Sequence, residues 1–575
     1  MAHDVVIRGG TIVDGTGAPP FDGDVAIDGD RVTEVGDVGG TGSRELDAAG
    51  LLVTPGWVDI HTHYDGQATW DPWCTPSGWH GVTTVVMGNC GVGFAPARRD
   101  RHDWLIGLME GVEDIPGSAL SDGITWGWET FGEYLDCVDA VPRALDVAAL
   151  VPHGAVRAYV MGERGARNEP ATPDDIQRMA AIVRDGLAAG GVGFSSSRTV
   201  VHRAVDGEPV PGTFAAEDEL LGIAAVVGEF APAIFEVAPA GVVGEDLLAP
   251  ERELGWMRRV AEQTGVTMTF LISQHDAAPD AWREAFRLCE EAQAAGVDLR
   301  PQVLGRPLNM LFGHATQYHP FANLPSYQEL TALPLAERVA RLREPETRAR
   351  ILSDAPPPDD PLAAVLTFPL DRIFPLGDPP DYEPPRERSI AALAAASGRE
   401  PREMLYELML TDDGRELFMY PVLNYSETDS EVTREMLLHP TSLLGGSDGG
   451  AHCGVICDAS TPTTMLTHWA RDRSRGDRLP LEWIVRKQTA DTARAFGMTD
   501  RGELRPGQRA DINLIDLDSL SVSRPEMTFD LPAGARRLVQ RAQGYVSTLV
   551  AGEVVAQDGE DTGARPGRVM RAHRA

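Results

Sequence analysis

The sequence predicts an α/β protein: a (β/α)8 TIM-like barrel joined to a small β-sandwich domain built from both chain termini. Three observations lead there. Eight short apolar runs recur between Pro55 and Gly497, and several intervals between them hold helices with clear start and stop signals. The two ends of the chain share a third texture, β-branched runs broken by Gly-Asp and Asp-Gly turns. Strands alternating with helices over this length indicate a parallel sheet closed into a barrel.

In chain order, DVVIRGGTIVDGTG, FDGDVAIDGDRVTEVGD and RELDAAGLLV read as strands and turns of the small domain, residues 1–55. GELRPGQRADINLIDL and GYVSTLVAGEVVAQDGE repeat that style near the end, so residues 498–575 are assigned to the same domain. The barrel is expected over 56–497, with strands at 57–63, 82–90, 146–153, 191–197, 233–238, 268–275, 297–304 and 442–448. TPDDIQRMAAIVRDGLAAG opens on an N-cap threonine with proline at the first helical position and closes on Gly190. DELLGIAAVVGEF, ERELGWMRRVAEQTG and DAWREAFRLCEEAQAAG each precede a strand. Two connections are too long for plain crossovers: 91–145, rich in tryptophan, and 305–441, with the proline-rich APPPDDPLAAV and LGDPPDYEPPRER. Such insertions lie over a barrel mouth, as a lid, a substrate-selecting region or a contact within a homo-oligomer.

Composition narrows the partners. Hydrophobic residues at 43% and charged residues at 24% are those of a soluble globular protein. A net charge of −35 argues against nucleic acid and anionic membrane surfaces. MAHDVVIRGG lacks the basic start and apolar core of an export signal, and no run approaches the roughly 20 apolar residues of a membrane span. Six cysteines in 575 residues make no disulfide scaffold, so a cytoplasmic location is expected. Cys453 and Cys457 lack the second pair of a structural zinc site and read as ordinary thiols. Of 51 basic residues only Lys487 is a lysine, so Schiff-base chemistry or a lysine-bridged metal pair must use it or do without.

The chemistry gathers at the ends of the predicted strands. PGWVDIHTHYDGQ ends an apolar run in His61 and His63, which lie on one face if the strand continues. Such a pair can hold a metal ion or simply meet solvent. Other strands end in Asn89-Cys90, His153, Gln274-His275 and, within GGSDGGAH, Asp448. All fall on the barrel face where catalysis is expected. Imidazole, thiolate and carboxylate suit zinc, which acidifies water to a pKa of about 7, and Asp448 could carry a proton from that water to a leaving nitrogen. Together they describe metal-assisted hydrolysis.

The segments PGWVDIHTHYDGQ, GVTTVVMGNCGVGFAPAR, GLMEGVEDIP, ALVPHGAVR and GSDGGAH closely resemble the amidohydrolase superfamily, and within it the N-acyl-D-amino-acid deacylases. The resemblance covers nearly the whole chain. GNCG is its specific part, because that branch uses its cysteine where many relatives use a carboxylated lysine. The resemblance implies His61, His63 and Cys90 as metal ligands and Asp448 as catalytic acid/base, and the convergence of the strand ends adds Asp448 as a further candidate ligand. It also implies one or two divalent ions, zinc first, and a small-molecule amide substrate, an N-acyl amino acid or a related linear amide.

The chain departs from that pattern at three places. The branch carries two further metal-binding histidines, after strand five and in a Ser-His motif at strand six. Here strand five reads IFEVAPAG, and Gln274 stands where the second histidine belongs. His275 is one residue on, which on a strand means the opposite face, so His275 and Glu236 are both candidates to complete the ligand set. Asp276 replaces an expected basic residue, and AHCGVICDASTPTT after Asp448 has no arginine. Arg306 in LGRPLNM is then the candidate for a substrate carboxylate, unless it pairs with one of the 86 acidic residues; His153 and Gln274 are further candidate substrate contacts. Two other readings stay open. A cyclic-amide hydrolase of the hydantoinase or dihydroorotase kind would lack its bridging lysine, and a degenerate barrel could serve as a non-catalytic binding module.

Overall fold

All eight predicted runs contribute a strand to one parallel sheet in the computed structural model, which describes residues 2–247, 249–357 and 368–572. The strands are β1 (Trp57–Asp59), β2 (Val82–Met87), β3 (Asp146–Pro152), β4 (Gly193–Ser197), β5 (Ile234–Ala238), β6 (Thr267–Leu271), β7 (Leu299–Val303) and β8 (Leu443–Leu444). Each pairs with the next in sequence order. The circle closes just beyond the strand ends, where Thr62 bridges Gly449 in parallel. Asp448 N–H donates to the His61 carbonyl (3.2 Å) and His63 N–H to that of Gly449 (2.8 Å). This closure sets the last strand's polar segment beside that of the first.

Helices cover the outside of the barrel as the sequence signals require. Pro173–Ala189 starts at Thr172, whose hydroxyl accepts from Asp175 N–H while the Asp175 carboxylate accepts from Thr172 N–H, and it stops at Gly190 with φ 121°. Among the described residues no helix is long and apolar enough to cross a membrane.

The two termini share a nine-stranded sheet, in which Leu52–Pro55 runs antiparallel to Ile512–Ile515. Ile7, Ile12, Val25, Val53, Ile512 and Leu514 are among the buried side chains of its core. Arg501 and Arg509 fix it to the start of β3 through Asp146, at 2.8 and 3.0 Å. Part of the C-terminal segment leaves this sheet: Glu526–Leu531 and Ala535–Val539 form a separate hairpin, and Leu538 N–H donates to the Cys453 carbonyl (2.6 Å) beyond β8.

The insertions are folded. Residues 305–441 include a three-stranded sheet (Leu308–Phe312, Phe374–Pro375, Phe418–Leu423) and an apolar core with Phe312, Tyr327, Leu342, Leu405 and Phe418. Residues 358–365 of the proline-rich APPPDDPLAAV lie outside the described residues. In the first insertion, Trp126 stacks on His102 with ring centroids 3.6 Å apart, and Trp128 donates to the Phe94 carbonyl (2.7 Å). These contacts hold the helix His102–Glu113, whose last residue reaches the barrel mouth.

Candidate metal centre and active site

The strands end before the polar groups that the sequence places on them. His61 and His63 follow β1, Cys90 follows β2 and Asp448 follows β8, so all four stand on loop backbone at the C-terminal face. Thr62, held in its bridge to Gly449, keeps the backbone extended between the histidines, and their ring centroids lie 5.5 Å apart. Ligand atoms of His61, His63 and Cys90 all lie within 4.8 Å of one another, and all three residues are buried. Cys90 Sγ is 3.4 Å from His61 Nε2. Asp448 Oδ1 is 3.4 Å from His61 Nε2 and 3.8 Å from His63 Nε2.

The turn that presents the thiol explains the glycines of GNCG. Gly88 and Gly91 have φ of 82° and 69°, and Cys90 itself sits at 55°. A Cβ on Gly88 would fall 2.4 Å from the Leu150 carbonyl oxygen, and one on Gly91 would meet Ser197 N at 2.8 Å. Asn89 pins the turn by donating to the carbonyls of Thr62 (3.2 Å) and Val86 (3.0 Å). Asp448 and His452 also have positive φ, 47° and 52°. Left-handed backbone at three non-glycine residues of one site is a local cost of the kind that functional loops carry.

Four residues that strand-end reasoning did not single out surround this group. Gln302 on β7 has its Oε1 2.9 Å from His61 Nδ1. Read as His61 donating, this contact leaves the Nε2 lone pair toward Cys90 and Asp448. Glu113 lies 3.4 Å from His63 Nδ1 and 3.8 Å from His452 Nε2. His452 Nε2 is also 3.8 Å from Asp448 Oδ2. His202, in the loop after β4, has its Nδ1 3.0 Å from Ser197 Oγ and faces His61 and His452 electrostatically. GLMEGVEDIP and GSDGGAH held Glu113 and His452 in plain view, but no local periodicity joins them to the strand ends.

Burial dominates the electrostatics. It pushes His61 down to about 4 and His63 well below the usual imidazole range. It raises Asp448 to about 6 and Glu236 to about 8, and it drives Cys90 and Glu113 well above their ordinary values. Neighbouring carboxylates add to the rise at Cys90, Glu113 and Glu236. Buried Glu236 Oε1 has no hydrogen-bond partner, and buried His63 Nδ1 and Glu113 Oε1 face each other at 3.4 Å without a hydrogen bond. A site with this many acids and neutral imidazoles, several without partners, fits a divalent cation, whose charge favours thiolate and carboxylate together. The residues present suit zinc by donor type.

The remaining candidates are placed differently. Glu236 on β5 accepts the Cys90 N–H at Oε2 (2.9 Å), which sets its carboxylate at the edge of the group. His275 does not join the group: its ring lies against Gly244 and lines a separate cavity with Val242, Ile272 and Trp282. The cause is local. Asn424 of the second insertion clamps Gln274, accepting its N–H (2.6 Å) and donating its own N–H to the Gln274 carbonyl (2.9 Å), as if extending the strand. The Gln274 side chain is occupied as well, by Glu427 (2.8 Å), the Pro279 carbonyl (3.2 Å) and Ser426 N–H (3.2 Å). His153 is fully buried between Ser196 (2.8 Å) and Glu219 (3.0 Å), with no ring nitrogen left for a substrate.

Arg306 corrects an expectation. Its guanidinium is buried against Asp458 (2.8 and 3.0 Å), donates to the Cys457 carbonyl (2.8 Å) and Thr464 (3.3 Å), and lies 3.9 Å over the Tyr382 ring. Its donors are thus engaged within the protein and do not offer a clamp for a substrate carboxylate. Arg306→Ala would leave Asp458 buried without its partner, and breaking such a pair costs about 3–5 kcal/mol. The expected result is a lower urea midpoint at unchanged substrate selectivity; an unchanged midpoint with altered selectivity would restore the clamp.

Lys487 donates to the carbonyl (2.5 Å) and hydroxyl (2.9 Å) of Ser442, immediately before β8 and therefore at the opposite end of the barrel from the site. It cannot bridge metals there.

Residues 44–556 match the Amidohydrolase family. The D-aminoacylase of Alcaligenes xylosoxydans xylosoxydans is 27% identical over 99% of this chain and 97% of its own length. The N-acyl-D-aspartate deacylase of the same organism is 26% identical, over 99% and 95%. A solved structure of D-aminoacylase, described by its binuclear metal centre, aligns at 25% identity with a TM-score of 0.65, covering 99% of this chain and all of that one. A match this long, on a barrel whose histidines and cysteine converge at its mouth, establishes that the chain belongs to the amidohydrolase family.

Proposed function

We propose that this amidohydrolase removes the acyl group from N-acyl amino acids, the D-enantiomers first. A divalent ion, zinc, would be held by His61, His63 and Cys90 with Asp448. The observation that carries this reading is the convergence of the two histidines and the thiol within 4.8 Å, with the Asp448 carboxylate 3.4 Å from His61. When bound, the ion supplies Lewis acidity at the amide carbonyl and acidifies water.

The chain's own residues do the rest. Asp448, 15% exposed while His61 and His63 are buried, is the group best able to meet both substrate and water. Its carboxylate takes the proton of the attacking water and returns it to the nitrogen as the C–N bond breaks. Gln302 holds the His61 ring, and Glu113 lies between His63 and His452. The D-aminoacylase and N-acyl-D-aspartate deacylase relatives support linear amides as the substrate class.

Elemental analysis of purified protein, with turnover measured on N-acetyl D- and L-amino acids, tests the reading. Bound zinc and deacylation lost on chelation and regained on metal addition are expected. A metal-loaded protein that turns over none of the panel would sink it.

A further inference from the structure

Each imidazole of the proposed metal centre has a second ring nitrogen to account for. His61 and His63 present Nε2 toward Asp448, at 3.4 and 3.8 Å, so Nδ1 of each ring faces the surrounding protein. At His61 that nitrogen meets Gln302 Oε1 at 2.9 Å. At His63 it faces Glu113 Oε1 at 3.4 Å, without a hydrogen bond. Glu113 is 2% exposed, and the carboxylates of Asp448, Asp65 and Glu236 oppose its charge. Among the described residues its only ion-pair contacts are to His63 and His452. A buried acid placed in this way costs stability unless a cation answers it, so packing alone gives no reason to keep a carboxylate there.

The backbone around Glu113 holds it in place from two sides. Glu113 ends the helix His102–Glu113, where Gly107 and Gly111, four residues apart, lie on the face against the loop after β4. Val205 N–H donates to the Gly107 carbonyl (3.1 Å), and a Cβ on Gly111 would fall 2.4 Å from the Arg203 carbonyl oxygen. On the other side, His452 N–H donates to the Glu113 carbonyl and Gly454 N–H to the Asp114 carboxylate (2.9 Å). The helix end is thus fastened both to the loop that carries His202 and to the loop that carries Asp448. Its close approach to the first loop depends on glycine.

We infer that Glu113 is a positioning residue of the metal centre, its carboxylate accepting a hydrogen bond from His63 Nδ1 and so aiming Nε2 at the ion, as Gln302 does for His61. This rests on the metal site proposed above and gives the tryptophan-rich insertion a task there: it carries the carboxylate to the ring. A carboxylate behind a ligating imidazole fixes the ring's orientation and raises its basicity. The two histidines are therefore supported unequally. Gln302 is neutral and orients its ring only, whereas Glu113 adds a charge that a bound cation offsets. Glu113 strengthens metal binding and weakens the metal-free protein.

The test measures zinc affinity of the full chain by competition with a chromophoric chelator, alongside the melting temperature of the metal-free protein. Glu113→Ala should weaken zinc binding by about 10–100-fold, the usual effect of removing a partner behind a metal ligand. Glu113→Gln should recover part of that loss, because its amide oxygen can accept from Nδ1 as that of Gln302 does. When metal-free, Glu113→Gln should melt no lower than the parent, since the isosteric exchange removes only a buried charge. A residue that merely supported the fold would lower that melting temperature. Such a drop, or parent-like zinc affinity in both variants, would overturn the assignment and leave the metal centre standing. A parent chain that takes up no zinc would overturn both.

Discussion

Asp448→Asn should retain the fold and much of the metal while losing about 10²–10⁴-fold in kcat, the usual contribution of a positioned general acid/base. The backbone there is left-handed, with φ 47°, and asparagine is among the few residues that tolerate that region. Its N–H still donates to the His61 carbonyl, so barrel closure survives the exchange. What disappears is the ability to take a proton from water, because the amide oxygen is far less basic than a carboxylate. Circular dichroism, metal content and kcat measured on one preparation separate these effects. A rate within a factor of two of the parent would move the proton transfer to another group, with Glu113 and His452 nearest at hand.

Replacing His61 and His63 together by alanine should leave the protein folded but nearly free of metal and without deacylase activity. The pair contributes two of the three donors that converge within 4.8 Å, and the remaining Cys90 and Asp448 cannot build a tetrahedral site between them. The barrel tolerates the loss because the closing bridge runs through backbone at Thr62 and Gly449, not through the imidazoles. Gln302 keeps a partner in Thr269 (3.1 Å) after His61 is gone. Zinc per chain, read by elemental analysis after dialysis against a weak chelator, is the direct measure. Unchanged stoichiometry would remove both histidines from the centre.

The sequence by itself located the eight barrel strands and the β-rich pairing of the two termini, and it named His61, His63, Cys90 and Asp448 as candidates that the fold brings together. All of these are written locally. Strand runs show in apolar blocks, helix ends in caps such as Thr172 and Gly190, and the thiol-presenting turn in two glycines around Asn89-Cys90. The sequence left Lys487 as the one lysine that could bridge metals, and its place on Ser442 before β8 removes it from the site.

Only the tertiary structure decided how the rest of the site is completed. Strand periodicity carries no information about which distant loop reaches the mouth, so Glu113, His202, Gln302 and His452 became neighbours of the histidines only when the barrel closed. The same holds for side chains that the sequence offered and the fold withdrew. His275 turns away because Asn424, 150 residues on, extends the pairing of β6 by its clamp on Gln274. Arg306 is consumed by Asp458, 152 residues on, because a buried guanidinium in a chain this acidic finds a carboxylate before it finds a substrate.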